Sequence, residues 1–486
     1  MKKIVCIIMS AILLSGCSES FLDRQPEDTL APGIFFKNPE DIKTGLIAVY
    51  QPLQGLFAAT SLPHMLGQMS DDGTSPYNSF IWHTFYKDNT HSAPDIWNGF
   101  YKLIVNANNI IDVIDQYTPS NDQEVVIVNA YKGEARFLRA LAYFYLVRLY
   151  GDVPMVVSRF TNPGTAFGIG RAPVNDIYNE VIIPDLEYAF ENCYKKDDPA
   201  LTNEEARATK GAALAILGKV YLTMNNPQKA EETLRKLVID GAGGNYRLLD
   251  DYSKIWLPSN KFHSESIFEI NYNYSLGMGS YYFRNMSIAV AYLYGGKVGN
   301  GLFCAEKDIM DEYVAYNEDI RFHASVDSGY ADRLIQPVPL KLIPPLPECS
   351  NFEQTGTDYN FMVTRYADAL LMYAEALMLI GQKDIAAGYV NQVRKRVHMD
   401  EIDASELSIE RILHERRMEL AFEGHRYFDL VRTGKAVEYI SHVLMNNNEY
   451  EKRVWRSTPV PEYQLLLPIP VGEIEKDQTL TQNPGY

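Results

Sequence analysis

The chain has 486 residues, of which 46% are hydrophobic and 22% are charged, a composition typical of folded proteins. Its 62 acidic residues outnumber its 45 basic residues, which gives a formal net charge of −17. Because affinity for phosphate comes mainly from clustered Lys and Arg, this balance excludes a non-specific nucleic-acid binder. Tyr is frequent (33) and Trp scarce (4), and since Tyr joins an apolar face to a polar tip, part of this surplus predicts a wet binding surface.

The N-terminus has the parts of a signal peptide. Lys2 and Lys3 precede the mostly apolar run Ile4–Leu14, which is too short to span a bilayer but fits the hydrophobic region of a secretory signal. The run ends in the tetrad Leu14–Cys17, which resembles the bacterial lipobox. The alternative is a plain secretory signal with a chance cysteine.

The lipobox resemblance predicts how the mature chain begins. Residues 1–16 are the expected signal peptide, and Cys17 is the expected lipidation site, with enough acyl chains for a stable anchor. Residues 17–40 are polar and turn-rich, so we expect them to form a lipidated arm that leaves the membrane. Ser18 is not the Asp that holds many lipoproteins at the inner membrane, which favours the outer membrane.

The remaining cysteines predict neither a disulfide scaffold nor a zinc site. Three cysteines remain, an odd number at wide spacing: Cys193, Cys304 and Cys349. No C-x-x-C motif occurs. One disulfide among the three stays open. We expect no metal and no cofactor.

Residues 41–486 are predicted to form a single, mostly α-helical domain. Apolar residues at helical spacing, such as Leu138, Leu141 and Tyr145, predict a helical scaffold over about 41–67, 96–240 and 363–440. The regions of about 68–95 and 241–362 are rich in Gly, Pro, Asn and Asp, with a helical period only near 305–317 and a few short strand-like runs. Long irregular regions in a regular scaffold are more often functional than idle, so we expect the ligand there.

An internal repeat supports a scaffold of tetratricopeptide-like helix pairs. Gly218, Tyr221, Ala230 and Leu234 have the spacing at which small residues let two antiparallel helices approach closely. The stretch 220–237 overlays 376–393 at a constant offset. Such pairs need neighbours to bury their faces, which predicts a stacked scaffold.

Catalytic templates are not met in this sequence. His414-Glu415 lacks the second His of a zinc protease, and no G-x-S-x-G elbow is present. Asp71 and Asp72 could be compared with the two catalytic carboxyl groups of a glycosidase. Those groups must lie at a set distance from each other on either side of the bound sugar, which adjacency in the sequence does not establish. This pair is expected to be a solvated acidic turn or a hydrogen-bonding pair for ligand hydroxyls. The charged run 415–419 is expected to be structural, with Arg411 and Glu415 as i,i+4 neighbours.

Two aromatic–polar segments remain as the predicted ligand-binding surface. Sugar rings present C–H patches that stack on flat aromatic side chains, while polar side chains bind the hydroxyls at their rims. The predicted ligand-binding aromatics and His of the first segment are Tyr77, Trp82, His83 and Tyr86. Those of the second segment are Tyr272, Tyr281, Tyr282, Tyr292 and Tyr294. Each could instead lie in the core, which is our expectation for Trp97 because it lies on a helix face.

An ordered set of motifs along the whole chain resembles the SusD/RagB family of outer-membrane nutrient-binding lipoproteins. The motifs are Phe21-Leu22-Asp23, Ile96-Trp97-Asn98, Glu134–Ala140, Tyr150–Pro154, Arg365–Asp368, Tyr373–Ala376, Glu415–Arg417, Glu423–Arg426, Pro468–Pro470 and Gln482–Tyr486. Most of these belong to the scaffold and do not carry binding residues across. Ser70-Asp71-Asp72 falls where a loop Asp that contacts sugar is expected, so the resemblance adds Asp71 to the predicted site.

The resemblance implies a SusD-like fold and a non-catalytic role. It implies an α-rich protein, anchored by lipid and exposed at the cell surface, that captures oligosaccharides for a SusC-like TonB-dependent transporter. A binder of peptides or other non-sugar nutrients on the same scaffold is the first alternative. A surface hydrolase and a pure interaction scaffold are the others.

Overall fold

The computed structural model describes residues 36–58, 62–75, 85, 88, 90–160, 162, 164, 167–280, 303–327, 337–342, 357–446 and 454–486. Helices dominate this part of the chain, which confirms the predicted mostly α fold class. Helices of the N-terminal half are α1 (Pro39–Ala58), α2 (Leu62–Gln68), α3 (Pro94–Gln116), α4 (Asp122–Tyr150), α5 (Val174–Ile177), α6 (Ile183–Asn192), α7 (Lys210–Thr223) and α8 (Pro227–Val238). A π-helical turn, Tyr178–Ile182, joins α5 to α6.

The C-terminal half contains shorter helices and one further long pair. Its helices are α9 (Lys307–Ala315), α10 (Asp319–Ser325), α11 (Tyr366–Leu379), α12 (Lys383–Arg396), α13 (Ile409–Leu420), α14 (Arg426–Arg432), α15 (Ala436–Met445) and α16 (Val471–Lys476). Helix α9 lies near the helical period expected at 305–317, whereas α10 lies in a region predicted to lack helix.

Short antiparallel strand pairs connect distant parts of the chain. β1 (Gly73–Thr74) pairs with β3 (Cys304–Ala305), and β4 (Val326–Asp327) pairs with β5 (Val338–Pro339). β2 (Ser266–Ile270), one of the short strand-like runs expected within 241–362, pairs with β6 (Phe361–Arg365), whose last residue directly precedes α11. The β1–β3 and β4–β5 pairs therefore connect parts of the irregular regions to one another, and the β2–β6 pair joins an irregular region to the helical scaffold.

The predicted repeat is a pair of helical hairpins at a constant offset along the chain. α11 and α12 begin 156 residues after α7 and α8, respectively, and α8 packs against α11. In the first hairpin Gly218 faces Leu234, and a Cβ on Gly218 would lie 2.5 Å from that side chain. The turns agree as well, since Asn225 and Gly381, at the same offset, both have positive φ. The tetratricopeptide-like helix-pair scaffold is thus confirmed.

The N-terminal helices pack around α4, whose predicted apolar face is buried. Leu138, Leu141 and Tyr145 are inaccessible or nearly so, as is Trp97 on α3, which confirms their assignment to the core. Asn121 caps the start of α4 by accepting from the Glu124 backbone N–H. Within the described ranges, no helix is both long and apolar enough to cross a bilayer.

Candidate functional site

The described ends of the predicted binding loops pair with one another at two places in the fold. Ser280 and Thr357 form an antiparallel bridge with two backbone hydrogen bonds of 2.8 Å. The Ser280 hydroxyl lies 3.5 Å from the carbonyl of Ala58, where α1 ends. At the second place β1 pairs with β3, and α2 lies between the two places along the chain. Segments 59–61, 281–302 and 343–356 each have one end at the first place, and segments 76–84 and 281–302 each have one end at the second.

Phe303, the residue before β3, packs under the β1–β3 pair. Its ring is fully buried against Gly67 and Gly73, and a Cβ at either glycine would overlap the ring. The ring also meets Phe422 edge-on, at a centroid distance of 6.3 Å, just beyond the end of α13. Because the contact needs two residues without side chains, it fixes the β1–β3 pair on the scaffold beneath the loop ends.

Asp71 does not face a ligand, and its assignment to the binding site is corrected. The side chain is 1% exposed, and its two carboxylate oxygens accept from Nε and Nη2 of Arg426, each at 2.8 Å. Burial acts to raise the pKa of Asp71, but the guanidinium groups of Arg417 and Arg426 lower it to about 2. The carboxylate is consequently the anionic half of a buried, bidentate ion pair.

Asp72 is buried beside it, so the expected solvated acidic turn is wrong. Arg417 Nε donates to Asp72 at 2.9 Å, and Arg417 Nη2 donates to the Asp71 carbonyl at 2.6 Å. Burial, together with the neighbouring Asp71 charge, raises the pKa of Asp72 to about 6 despite the arginines. Both carboxylates connect the β1 segment to α13 and α14, and neither is free for acid–base work on a sugar.

Tyr272 is also a core residue, which corrects its assignment as a ligand contact. It is 1% exposed, its hydroxyl donates to the Gln54 carbonyl at 2.8 Å, and its backbone N–H donates to Asn360 at 2.9 Å. The turn that follows exposes two apolar side chains, Leu276 and Met278, beside the Ser280 loop end. Leu276 and Met278 are not aromatic, so the aromatic pattern does not indicate them. The sequence signal for them is a pair of apolar residues on either side of Gly277 in a turn.

The other predicted site residues lie outside the described residues. These are Cys17, Tyr77, Trp82, His83, Tyr86, Tyr281, Tyr282, Tyr292 and Tyr294. Phe85, between two of them, is buried with φ at 55°, and its carbonyl accepts from Arg456 Nη1 at 2.9 Å. The first aromatic segment is thus fixed to the C-terminal region at Phe85.

The charged run on α13 is structural, as predicted, but its partners differ. Glu415 accepts from Arg321 at 2.6 Å and Arg394 at 2.7 Å, so the expected i,i+4 pair with Arg411 is wrong. Glu419 on α13 also accepts from Arg321, which lies on α10. These ion pairs join α10 to the scaffold. Buried charges need such partners because their desolvation is costly. The run therefore connects the loop-bearing region to the helix pairs.

Two further features of the described residues concern metal ligands and cysteines. Within them, no group of three or more His, Cys, Asp or Glu side chains is arranged to hold a metal ion. Cys193 is a buried free thiol, and Cys304 is buried on β3. What the described residues offer is a buried, ion-paired scaffold that carries the ends of the predicted binding loops.

Two family models match separate parts of the chain. The model described as "Starch-binding associating with outer membrane" matches residues 20–222, and the model described as "SusD family" matches residues 340–486. A SusD-like protein of Formosa agariphila is 27% identical, with all of both chains covered. The starch-binding protein SusD of Bacteroides thetaiotaomicron is 23% identical over 77% of this chain and 75% of its own.

Solved structures share the whole fold. A laminarin binding SusD-like protein is 26% identical with a TM-score of 0.78, covering 93% of this chain and 100% of its own. Surface glycan-binding protein A from Bacteroides thetaiotaomicron, in complex with laminarihexaose, has the same fold at 22% identity, with a TM-score of 0.75 over 91% and 99% of the two chains. With the helical hairpins and the motifs along the chain, these matches show that the chain belongs to the SusD/RagB family.

Proposed function

We propose that this protein is a glycan-binding lipoprotein that captures oligosaccharides at the cell surface and delivers them to a SusC-like TonB-dependent transporter. The similar solved structure that binds laminarin aligns over nearly the whole chain, and other relatives are starch-binding or glycan-binding proteins. The observation that carries the proposal to a site is the pairing of Ser280 with Thr357, because Tyr281, Tyr282, Tyr292 and Tyr294 belong to the segment that starts directly after Ser280. The first aromatic segment starts just after β1, whose partner β3 follows the end of that segment after Ser280.

The proposed contacts are the loop aromatics of both segments. Tyr77, Trp82, His83 and Tyr86 would act from the first segment, and Tyr281, Tyr282, Tyr292 and Tyr294 from the second. An aromatic face stacks on the C–H side of a sugar without requiring any ligand charge, which suits a chain with this acidic balance. Leu276 and Met278 add apolar surface at the Ser280 loop end.

The proposed action is binding without catalysis. The adjacent carboxylates that most resemble a glycosidase pair, Asp71 and Asp72, are occupied by Arg417 and Arg426 and are inaccessible. Relatives are named for the ligands they bind. Purified protein should therefore leave a bound oligosaccharide intact, and release of shorter products would support a hydrolase instead.

The proposed location is the outer face of the outer membrane, with Cys17 as the lipid anchor. One matching family model is described as associating with the outer membrane. The described part of the chain begins at Phe36, so residues 18–35 lie between the proposed anchor and the first described residue. The scaffold helices would dock on the transporter, and the converging loops would face outward.

The test is a binding titration with the protein from residue 18 onward, which retains every described residue. The panel contains β-glucan and α-glucan oligosaccharides and, as competitors, peptides. We expect a glycan ligand whose affinity falls about tenfold or more in Trp82→Ala, equivalent to about 1.4 kcal/mol. Phe167→Ala is the matched control, because Phe167 is an exposed aromatic outside both segments.

The outcomes distinguish the location of the binding site from the class of ligand that is bound. Loss of binding in Trp82→Ala with retention in Phe167→Ala supports the first segment as the site. Retention in Trp82→Ala transfers the site to Tyr281–Tyr294. Binding of peptides with no response to any glycan would overturn the proposed ligand class.

A further inference from the structure

A small cavity lies inside the scaffold, away from the loop ends. It has a volume of about 20 Å³, enough for one small guest, and lies where α4, α7, α13 and α14 meet. One wall is apolar and includes Leu141 and Phe144. The other carries Arg148, Lys219, Arg416, His425, Asp429 and Arg432.

Two buried N–H groups on residues that line this cavity have no hydrogen-bond partner among the described residues, although Asp368 Oδ2 lies 4.0 Å from one of them, His425 Nε2. They are Arg416 Nη1 and His425 Nε2, on side chains that are 2% and 8% exposed. The tautomer of His425 follows from its neighbour: Lys219 Nζ can only donate, so His425 Nδ1 accepts from it at 3.2 Å and Nε2 carries the hydrogen. An unmet buried donor is costly, and two such donors at one cavity indicate an acceptor there.

The other nitrogens of Arg416 face carboxylates. Its Nε donates to Asp429 at 2.8 Å, and its Nη2 lies 2.9 Å from Asp368 in an ion pair. Nη1 has no hydrogen-bond partner among the described residues, and Arg416 lines the cavity. The guest therefore has to accept hydrogen bonds and is not required to donate any.

The charges around the cavity do not balance. Arg148 is held between the rings of Phe144 and Phe428, at 3.6 and 3.8 Å from their centroids, and its Nε donates to the Phe144 carbonyl. Among the described residues, no carboxylate lies within ion-pair distance of it, and burial lowers its pKa to about 10. Four cations, Arg148, Lys219, Arg416 and Arg432, thus face three carboxylates, Asp368, Asp429 and Glu375.

We propose that this cavity binds one small monovalent anion of chloride size. The anion accepts the N–H groups of Arg416 Nη1 and His425 Nε2 and offsets the charge of Arg148. A water molecule could accept the same two bonds, but it would leave the excess positive charge buried. Because the wall comes from α4, α7, α13 and α14, the anion would hold the first helical hairpin against the ion-paired α13.

The direct test is diffraction from crystals of the protein from residue 18 onward, grown or soaked in sodium bromide. We expect an anomalous bromide peak in the cavity at hydrogen-bond distance from Arg416 Nη1 and His425 Nε2. Density that refines as water, with no anomalous signal, would overturn the proposal. This result does not depend on whether the protein binds a glycan.

A solution test uses the same protein in sodium chloride and in sodium gluconate at equal ionic strength. A ligand that binds only the folded state raises the unfolding midpoint with its concentration, so the midpoint should rise in chloride and not in gluconate. Arg148→Met keeps the stacked side chain but removes the excess charge, and should abolish this difference. Arg136→Met is the control, because Arg136 lies on the same helix, stacks on Tyr188 and does not line the cavity. An equal midpoint in the two salts, or a chloride effect that persists in Arg148→Met, counts against the proposal.

Discussion

Glu419 lies at the centre of the buried charges around α13, and Glu419→Gln tests how much they stabilise the fold. Its carboxylate accepts from Arg321 Nε at 3.0 Å, from Arg365 Nη1 at 2.6 Å and from Arg396 Nη2. The side chain is fully buried. Burial acts to raise its pKa, yet the surrounding guanidinium groups hold the pKa far below its ordinary value.

The substitution keeps the shape of the side chain but leaves three arginines facing a neutral amide. Removing one partner of a buried pair costs about 3–5 kcal/mol, because an uncompensated charge stays out of water. We expect a loss of this size in the free energy of unfolding, measured by urea denaturation followed by circular dichroism and by fluorescence. Coincidence of the two curves checks that a single transition is being measured.

The matched control is Glu410→Gln on the same helix. Glu410 is half exposed and pairs with Lys435 at 3.0 Å, an ion pair of the surface class that contributes about 0–1 kcal/mol. A loss in Glu419→Gln no larger than that in Glu410→Gln would refute the view that charge pairing at Glu419 holds α13 to the scaffold.

Three further predictions concern the hairpin, a buried histidine and the reassigned Asp. Gly218→Ala should destabilise by about 1–3 kcal/mol through overpacking in the hairpin, whereas Gly388→Ala, in open space on α12, should stabilise by up to about 1 kcal/mol; thermal unfolding compares them. Burial lowers the pKa of His414 from 6.5 to about 4, so the stability due to its neutral ring is present above pH 6.5 and is lost as the pH falls towards 4. His414→Phe should flatten the stability profile over that range, and an unchanged slope would contradict the assignment. Asp71→Asn should reduce stability by about 2–4 kcal/mol without changing the glycan affinity of the folded protein, measured by calorimetric titration; weaker binding would return Asp71 to the ligand surface.

Local pattern was sufficient to predict the scaffold. Small residues at Gly218 and Ala230 mark where two helices approach closely, and the same spacing recurs at the second hairpin because both pairs solve the same packing problem. The apolar face of α4 was predictable for a similar reason, since helical periodicity shows which side chains share a face. The loop aromatics and the lipid anchor at Cys17 stay predictions from the sequence.

Tertiary structure decided which partners the polar and aromatic side chains of the irregular regions meet. Asp71 and Arg426 are 355 residues apart in the chain, and no local pattern indicates that they meet. Tyr272 likewise reaches Gln54, on α1, so an apparently polar, aromatic segment supplies a core residue. The sequence by itself determined the helix pairs and the charged face of α13, because both follow from spacing along one element. Which carboxylates are buried, and which remain available to a ligand, depends on elements that are brought together only when the chain folds.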